Sequence, residues 1–189
     1  MPNLYIISGC NGAGKTTASF TILPEILDCH EFVNADEIAK GLSPFNPESV
    51  AIESGRIMLK RIDELIYHQV DFAFETTLAT KSYIKLIAQA KKQGYRVHLL
   101  YFWLNSPELA IERVAKRVSF GGHNIPEEVI RRRYRNGLKN LFRLFIPLCD
   151  EWFIFDNSNN NIGSIAEGNS NGDFLIHNTL VYNIIKDGK

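Results

Sequence analysis

Eight residues near the start of the chain, Gly9-Cys10-Asn11-Gly12-Ala13-Gly14-Lys15-Thr16, match the pattern G-x-x-x-x-G-K-[ST]. A match of this kind arises by chance in about one chain in a hundred of this length. Glycines allow a backbone turn to wrap phosphate oxygens closely, and the positive end of a following helix adds attraction. The lysine would reach the β- and γ-phosphates of a nucleoside triphosphate, and the Thr16 hydroxyl would take one coordination site of Mg²⁺. Gly9, Asn11, Gly12, Ala13, Gly14, Lys15, Thr16 and Thr17 are therefore expected to bind ATP. Context agrees: the apolar run Leu4 to Ile7 reads as a buried strand before the turn, and Lys15 to about Leu27 reads as a helix after it. Without a ligand, the same residues would be only a glycine-rich turn.

A phosphate cradle alone does not separate a kinase from a switch or a motor. A GTPase would carry Asn-Lys-x-Asp to read guanine, and that tetrapeptide is missing from the chain. The nearest equivalent of a motor's second motif is Phe72-Ala73-Phe74-Glu75-Thr76-Thr77. What distinguishes a kinase is a carboxylate that accepts the acceptor's proton, together with a mobile basic segment. Asp36 follows the short apolar stretch Phe32 to Ala35, at the carboxyl edge of the expected sheet, where ligands of open α/β folds collect. It suits a general base, with Glu37 a weaker candidate, but its position also suits a helix cap. Glu75 ends another strand and could grip substrate hydroxyls, help hold Mg²⁺ through water, or be satisfied by nearby backbone.

From Arg113 to Arg143 there are nine basic residues against two acids, Glu127 and Glu128. Arg113 and Arg117 share a helix face, and Arg133 falls on or beside the apolar face of its helix, whereas Arg131 and Arg135 point more outward. An inward arginine needs an anion, and a triphosphate would supply one. Arg117 and Arg133 are thus expected as catalytic clamps, with Arg113 and Arg132 as further ATP contacts. Gly121-Gly122 would hinge this basic helical lid, residues 113–143, and His123 reads as a hydrogen-bonding lid residue. A solvated basic face and a nucleic-acid groove are the competing readings.

Short apolar runs alternate with helical periodicity, giving strands at Leu4, Phe32, Asp71 to Thr77, Arg96 to Leu104 and Trp152 to Phe155. Between them, helices start at Asn46-Pro47-Glu48, at about Lys81, at Ser106-Pro107-Glu108 and at Pro126-Glu127-Glu128. The Asn/Ser/Gly-rich stretch Asn157 to Gly172 reads as a loop or hairpin with a short strand near Ile165, and Leu175 to Ile185 as a final helix. This predicts a three-layer α/β P-loop NTPase fold of the nucleotide kinase type, with a mainly parallel sheet of about five strands. Its 189 residues make one domain. Lys plus Arg and Asp plus Glu are 21 each, so no net charge draws the chain to nucleic acid or membrane. No apolar run approaches the roughly 18–20 residues of a spanning helix. No basic segment leads into an apolar stretch at Met1-Pro2-Asn3-Leu4, so no signal peptide is expected. Cys10, Cys29 and Cys149 lack metal-ligand spacing and suggest free thiols in a reducing, cytoplasmic compartment.

Taken together, these residues resemble the zeta toxin family of P-loop kinases, over roughly residues 4–158. The matching pieces are the P-loop, Asn34-Ala35-Asp36-Glu37-Ile38, Pro44-Phe45-Asn46-Pro47-Glu48, Phe74-Glu75-Thr76-Thr77, Arg113 to His123, Ile125-Pro126-Glu127 and Arg131-Arg132-Arg133-Tyr134. The compact chain is similar to the short branch of the family. The resemblance implies Asp36 as catalytic base, Glu75 and Thr77 as substrate contacts, and lid arginines as γ-phosphate clamps. It also implies ATP as phosphoryl donor and a UDP-N-acetylglucosamine-type acceptor, phosphorylated on the sugar 3′-hydroxyl. An antitoxin-type protein partner would accompany a toxin, but no sequence feature identifies one. The reading from a different class is a regulatory or motor-type ATPase acting through a macromolecular partner.

Overall fold

The computed structural model describes residues 1–122, 124–159 and 161–187. Strands β1 (Asn3–Gly9), β2 (Glu31–Val33), β3 (Phe72–Thr76), β4 (Arg96–Trp103), β5 (Glu151–Asp156), β6 (Gly163–Asn169) and β7 (Phe174–Ile176) form one sheet. Their spatial order is β2-β3-β1-β4-β5-β6-β7. The first five strands in that order run parallel, and β6 and β7 extend the sheet antiparallel. β4 shows why the parallel part must be covered on both sides: Val97 to Trp103 are all buried.

Helices α1 (Lys15–Thr21), α2 (Ala35–Leu42), α3 (Ala51–Tyr67), α4 (Tyr83–Lys92), α5 (Pro107–Ser119), α6 (Glu127–Asn140) and α7 (Thr179–Asp187) connect and flank the strands. Among the described residues, none of these helices is long and apolar enough to cross a membrane. Cys10, Cys29 and Cys149 are all free and buried.

The α/β fold with a mostly parallel sheet is as expected, but with seven strands rather than about five. The difference lies at the carboxyl end. The polar stretch after β5 folds back as β6, pairing Ile154 with Ala166 across a register shift. Leu175, expected in the last helix, belongs to β7, and α7 begins only at Thr179. A three-residue strand with exposed Phe174 and Leu175 has too little alternation to be told from the start of a helix. At the other end, Asn46 does not cap α3 with its side chain, and Pro47–Val50 forms a 3₁₀ turn before α3 starts at Ala51. Ser106 does behave as an N-cap, accepting from the Leu109 N–H at 3.2 Å with Pro107 next in line.

Parallel pairing gathers the carboxyl ends of the first five strands along one edge. The turn after β1 opens there, beside Asn34 after β2, Glu75 at the end of β3 and Asn157 after β5. α6 is brought to the same edge by two buried hydrogen bonds. The Tyr134 hydroxyl donates to the Leu104 carbonyl at 2.6 Å, and Asn140 Nδ2 donates to the Leu78 carbonyl at 2.7 Å. Between them Gly137 lets the helix close on the β3–α4 connection, where a Cβ would lie 2.7 Å from the Thr77 carbonyl oxygen.

Gly137→Ala therefore forces α6 away from that carbonyl and should cost about 1–3 kcal/mol, the usual size of an overpacking penalty. Gly55 in α3 has nothing within 4 Å of its would-be Cβ. Gly55→Ala should raise stability by up to about 1 kcal/mol through helix propensity. Urea midpoints of the two variants should move in opposite directions.

Candidate active site

The phosphate-type turn lies between β1 and α1. Gly14 stands at the α1 N-cap in a left-handed conformation (φ +77°), with no side chain to satisfy the first helical N–H groups. Those groups are left for an outside acceptor, as an anion site at a helix start requires. Lys15 is only 5% exposed. Its ammonium donates to the Cys10 carbonyl at 2.9 Å and lies 3.4 Å from Glu75 Oε1. The Thr16 hydroxyl donates to Glu75 Oε2 at 2.7 Å. A single carboxylate thus meets both Lys15 and Thr16 of the P-loop.

Asn34, also buried, donates from Nδ2 to the same Glu75 oxygen at 2.8 Å. Its Oδ1 accepts from the Asp36 N–H at 2.8 Å and the Glu37 N–H at 3.4 Å. Asn34 is therefore the cap of α2, and Asp36 is not. Relieved of capping, the exposed Asp36 lies in the first turn of α2 and lines a cavity of about 720 Å³. Gly12, Lys15, Thr16, Thr17 and Glu75 of the P-loop and β3 line the same cavity. Phe20, Lys40 and Glu48 line it too, as do Arg113 and Arg117. The volume is within the usual range of about 300–1,000 Å³ for small-molecule sites.

The basic region is sorted by its contacts. Arg113 donates to the carbonyls of Asn157 (2.8 Å) and Ser158 (3.0 Å), so it braces the segment after β5 while lining the cavity. Arg117 is exposed on the cavity wall. Arg133 turns inward, donating to Asn11 Oδ1 of the P-loop at 3.2 Å. Burial pulls its guanidinium pKa down, and the negative charge of Asp36 opposes that shift. The same Asp36 charge, after burial, helps push the Tyr83 phenol up. Arg131 is spent on Glu108 at 2.5 Å, while Arg132 and Arg135 are exposed.

Three expected side chains, Arg133, Arg132 and Thr77, are not in the cavity lining, although Arg133 meets Asn11, which is. Arg132 is turned to solvent, because the helical rotation that carries Arg133 inward carries its neighbour away. Thr77 does not line the cavity either; its hydroxyl accepts from the Ala79 N–H at 3.4 Å and its carbonyl lies under Gly137. Gly9 and Ala13 are buried in the turn itself. His123 lies outside the described residues. Asn34 and Asn157 received no role from sequence, although Asn34 directly follows a strand and precedes two acids, which is an N-cap signature. Asn157 donates from Nδ2 to the Ala13 carbonyl at 2.8 Å, in the space a Cβ on Gly14 would fill.

The family model for zeta toxins matches residues 1–162. The chain belongs to the zeta toxin family. It is 35% identical over 128 residues to a protein of Haemophilus influenzae, an overlap of 67% of this chain and 88% of the relative. In structure it is similar to a chain of the AvrRxo1-ORF1:AvrRxo1-ORF2 complex solved with ATP, at a TM-score of 0.80 and 19% identity. That likeness covers 100% of this chain but spans only 64% of the matching chain. A chain from the PezAT chromosomal toxin–antitoxin system of Streptococcus pneumoniae aligns at a TM-score of 0.70 and 16% identity, over 100% of this chain and 80% of its own. The zeta toxin family member described here thus has the fold of these proteins, with Lys15, Thr16, Asn34, Asp36 and Glu75 assembled on one edge of its sheet.

Lys15→Ala removes the ammonium beneath the turn and leaves Glu75 without its ion pair. ADP affinity measured by calorimetry should fall by at least about 10-fold, since charged hydrogen bonds to phosphate are worth about 1.5–3 kcal/mol each. Unchanged affinity would show that the turn does not hold phosphate. Arg133→Ala should lower ATP turnover, whereas Arg135→Ala, on the exposed face, should leave it within about twofold of the native protein.

Proposed function

We propose that this zeta toxin family protein is an ATP-dependent kinase that transfers the γ-phosphoryl group to a hydroxyl of a small molecule. The observation that carries the reading is that Asp36 lines the same cavity as Lys15, Thr16 and Glu75. A triphosphate seated on the turn points its γ-phosphate toward that cavity, and an acceptor in the other half meets it. In the reaction the acceptor oxygen forms a bond to the γ-phosphorus as the bond to the β–γ bridging oxygen breaks. ADP leaves with that electron pair, and the hydroxyl proton passes to the Asp36 carboxylate. Lys15 and the first N–H groups of α1 hold the phosphates, and Arg117 and Arg133 answer the charge that builds on the transferring group.

Thr16 and Glu75 offer hard oxygen donors at hydrogen-bonding distance from each other, which suits Mg²⁺. Among the described residues no group of three or more His, Cys, Asp or Glu side chains is placed to cage a metal, so the ion would rely on substrate phosphates and water as well. When bound it neutralises charge on the β- and γ-phosphate oxygens. Thr16 would hold it directly and Glu75 at its edge.

Residues 113–143 form the lid in this reading, with α5 and α6 meeting the triphosphate through Arg117 and Arg133. For the acceptor, membership of the family supports a nucleotide sugar of the UDP-N-acetylglucosamine type. A sugar ring offers several hydroxyls, and the choice of one depends on fixed acceptors such as Glu75. The three free thiols support work in a reducing, cytoplasmic setting. An antitoxin-type partner is proposed from the likeness to a chain of the PezAT toxin–antitoxin system.

Asp36→Asn should leave ADP affinity within about twofold and lower turnover by roughly 10²–10⁴-fold, the range of a positioned acid or base. Mass spectrometry of ATP and Mg²⁺ with UDP-sugars, free sugars, nucleosides and 5′-hydroxyl oligonucleotides should show one added phosphoryl group on a UDP-sugar. A phosphorylated nucleoside or oligonucleotide, with UDP-sugars untouched, would replace the acceptor and keep the kinase. Hydrolysis that appears only beside a protein partner would replace the kinase with a regulatory ATPase.

A further inference from the structure

We infer that Asn34 is a positioning residue that holds the turn carrying Asp36 at a fixed offset from Thr16 and Glu75, an inference that rests on the kinase reading above. Its amide bonds to both groups. Oδ1 accepts from the N–H of Asp36 (2.8 Å) and of Glu37 (3.4 Å). Nδ2 donates to Glu75 Oε2 at 2.8 Å and reaches Thr16 Oγ1 at 3.4 Å. The amide orientation is set by its neighbours, because a flip would turn Oδ1 toward a carboxylate and Nδ2 toward two donors. At 5% exposure, water does not substitute freely for either set of bonds.

The chemistry explains why an amide stands here. An N-cap needs only an acceptor, and serine or threonine supply one nearly as well. Holding Glu75 needs a donor at the far end of the same rigid plane, and a capping hydroxyl is too short to be both. A plain cap therefore does not require asparagine, but a bridge does. The general base reaches the acceptor from α2, while the phosphates and their counter-ion are placed by β1 and β3. Two groups on separate elements must keep their spacing to well under 1 Å for transfer, and one buried amide spans them.

The test compares the full-length protein with Asn34→Ser, which keeps the cap and loses the bridge. Asn34→Thr makes the same change and serves if the serine variant does not fold. Melting temperature should stay within about 3 °C, and affinity for a fluorescent ADP analogue without Mg²⁺ should be unchanged. The Mg²⁺ concentration that half-saturates the metal-dependent part of ADP binding should rise by about 10–100-fold, the usual effect of losing a residue that orients a metal's ligands. This readout needs no acceptor, so it stands even if no small molecule is phosphorylated. With turnover measurable, Asn34→Ser should lower kcat by a similar factor alone and by much less in the Asp36→Asn background. An unchanged Mg²⁺ requirement in a folded variant, or no Mg²⁺ effect on the native protein, would reduce Asn34 to a cap and overturn the inference. So would equal kcat losses in the two backgrounds.

Discussion

An ammonium group kept 5% exposed under a backbone turn is costly to bury without an answering charge, and Glu75 supplies it. The pairing sets demands on the rest of the molecule. Lys15 begins a helix after β1, and Glu75 is the fourth residue of β3, so the two strands must be neighbours in matching register. They are: Ile7 lies opposite Glu75 and Ser8 opposite Thr76 in a parallel ladder. β2 joins the other side of β3, with Val33 opposite Phe74, which brings Asn34 beside Glu75. A slip of one residue in the β1–β3 ladder would turn Glu75 to the other face of the sheet and leave the lysine without its partner.

The same economy governs the positive charge of the second half. In sequence the arginines of 113–143 form one basic run, but the fold gives them different tasks. Arg131 closes on Glu108, Arg113 braces the chain after β5, and Arg133 is drawn to the P-loop by Asn11. The docking of α6 by Tyr134, Gly137 and Asn140 decides which arginine enters. With that face turned inward, Arg132 is swung into water. A basic run without a docked apolar face would be no more than a solvated surface.

What was readable in the chain follows from how local each signal is. The P-loop is contiguous and its chemistry depends on backbone conformations that glycine alone adopts easily, so eight residues suffice to find it. β4, apolar on both faces, announces a covered parallel sheet. The capping of α5 by Ser106 is equally local. By contrast β7 is three residues long and is held by pairing with β6, which no short window displays. Arg132 is kept from the cavity by the rotation of α6, and Thr77 by the path of the β3–α4 connection beneath Gly137, both properties of packing.

The sequence by itself determined the kind of fold, the phosphate-binding turn and the presence of acids at the carboxyl ends of strands, because each is written in residues close together along the chain. Only the tertiary structure decided which acid does what. Glu75 is tied to the P-loop and Asp36 is left open to the cavity because a third residue, Asn34, takes over the cap and reaches across to β3. Those contacts join residues 18 to 59 positions apart, through Thr16, Asn34 and Glu75. Hydrogen bonds of that span exist only once strands have paired, since pairing is what converts separation along the chain into a few ångströms in space.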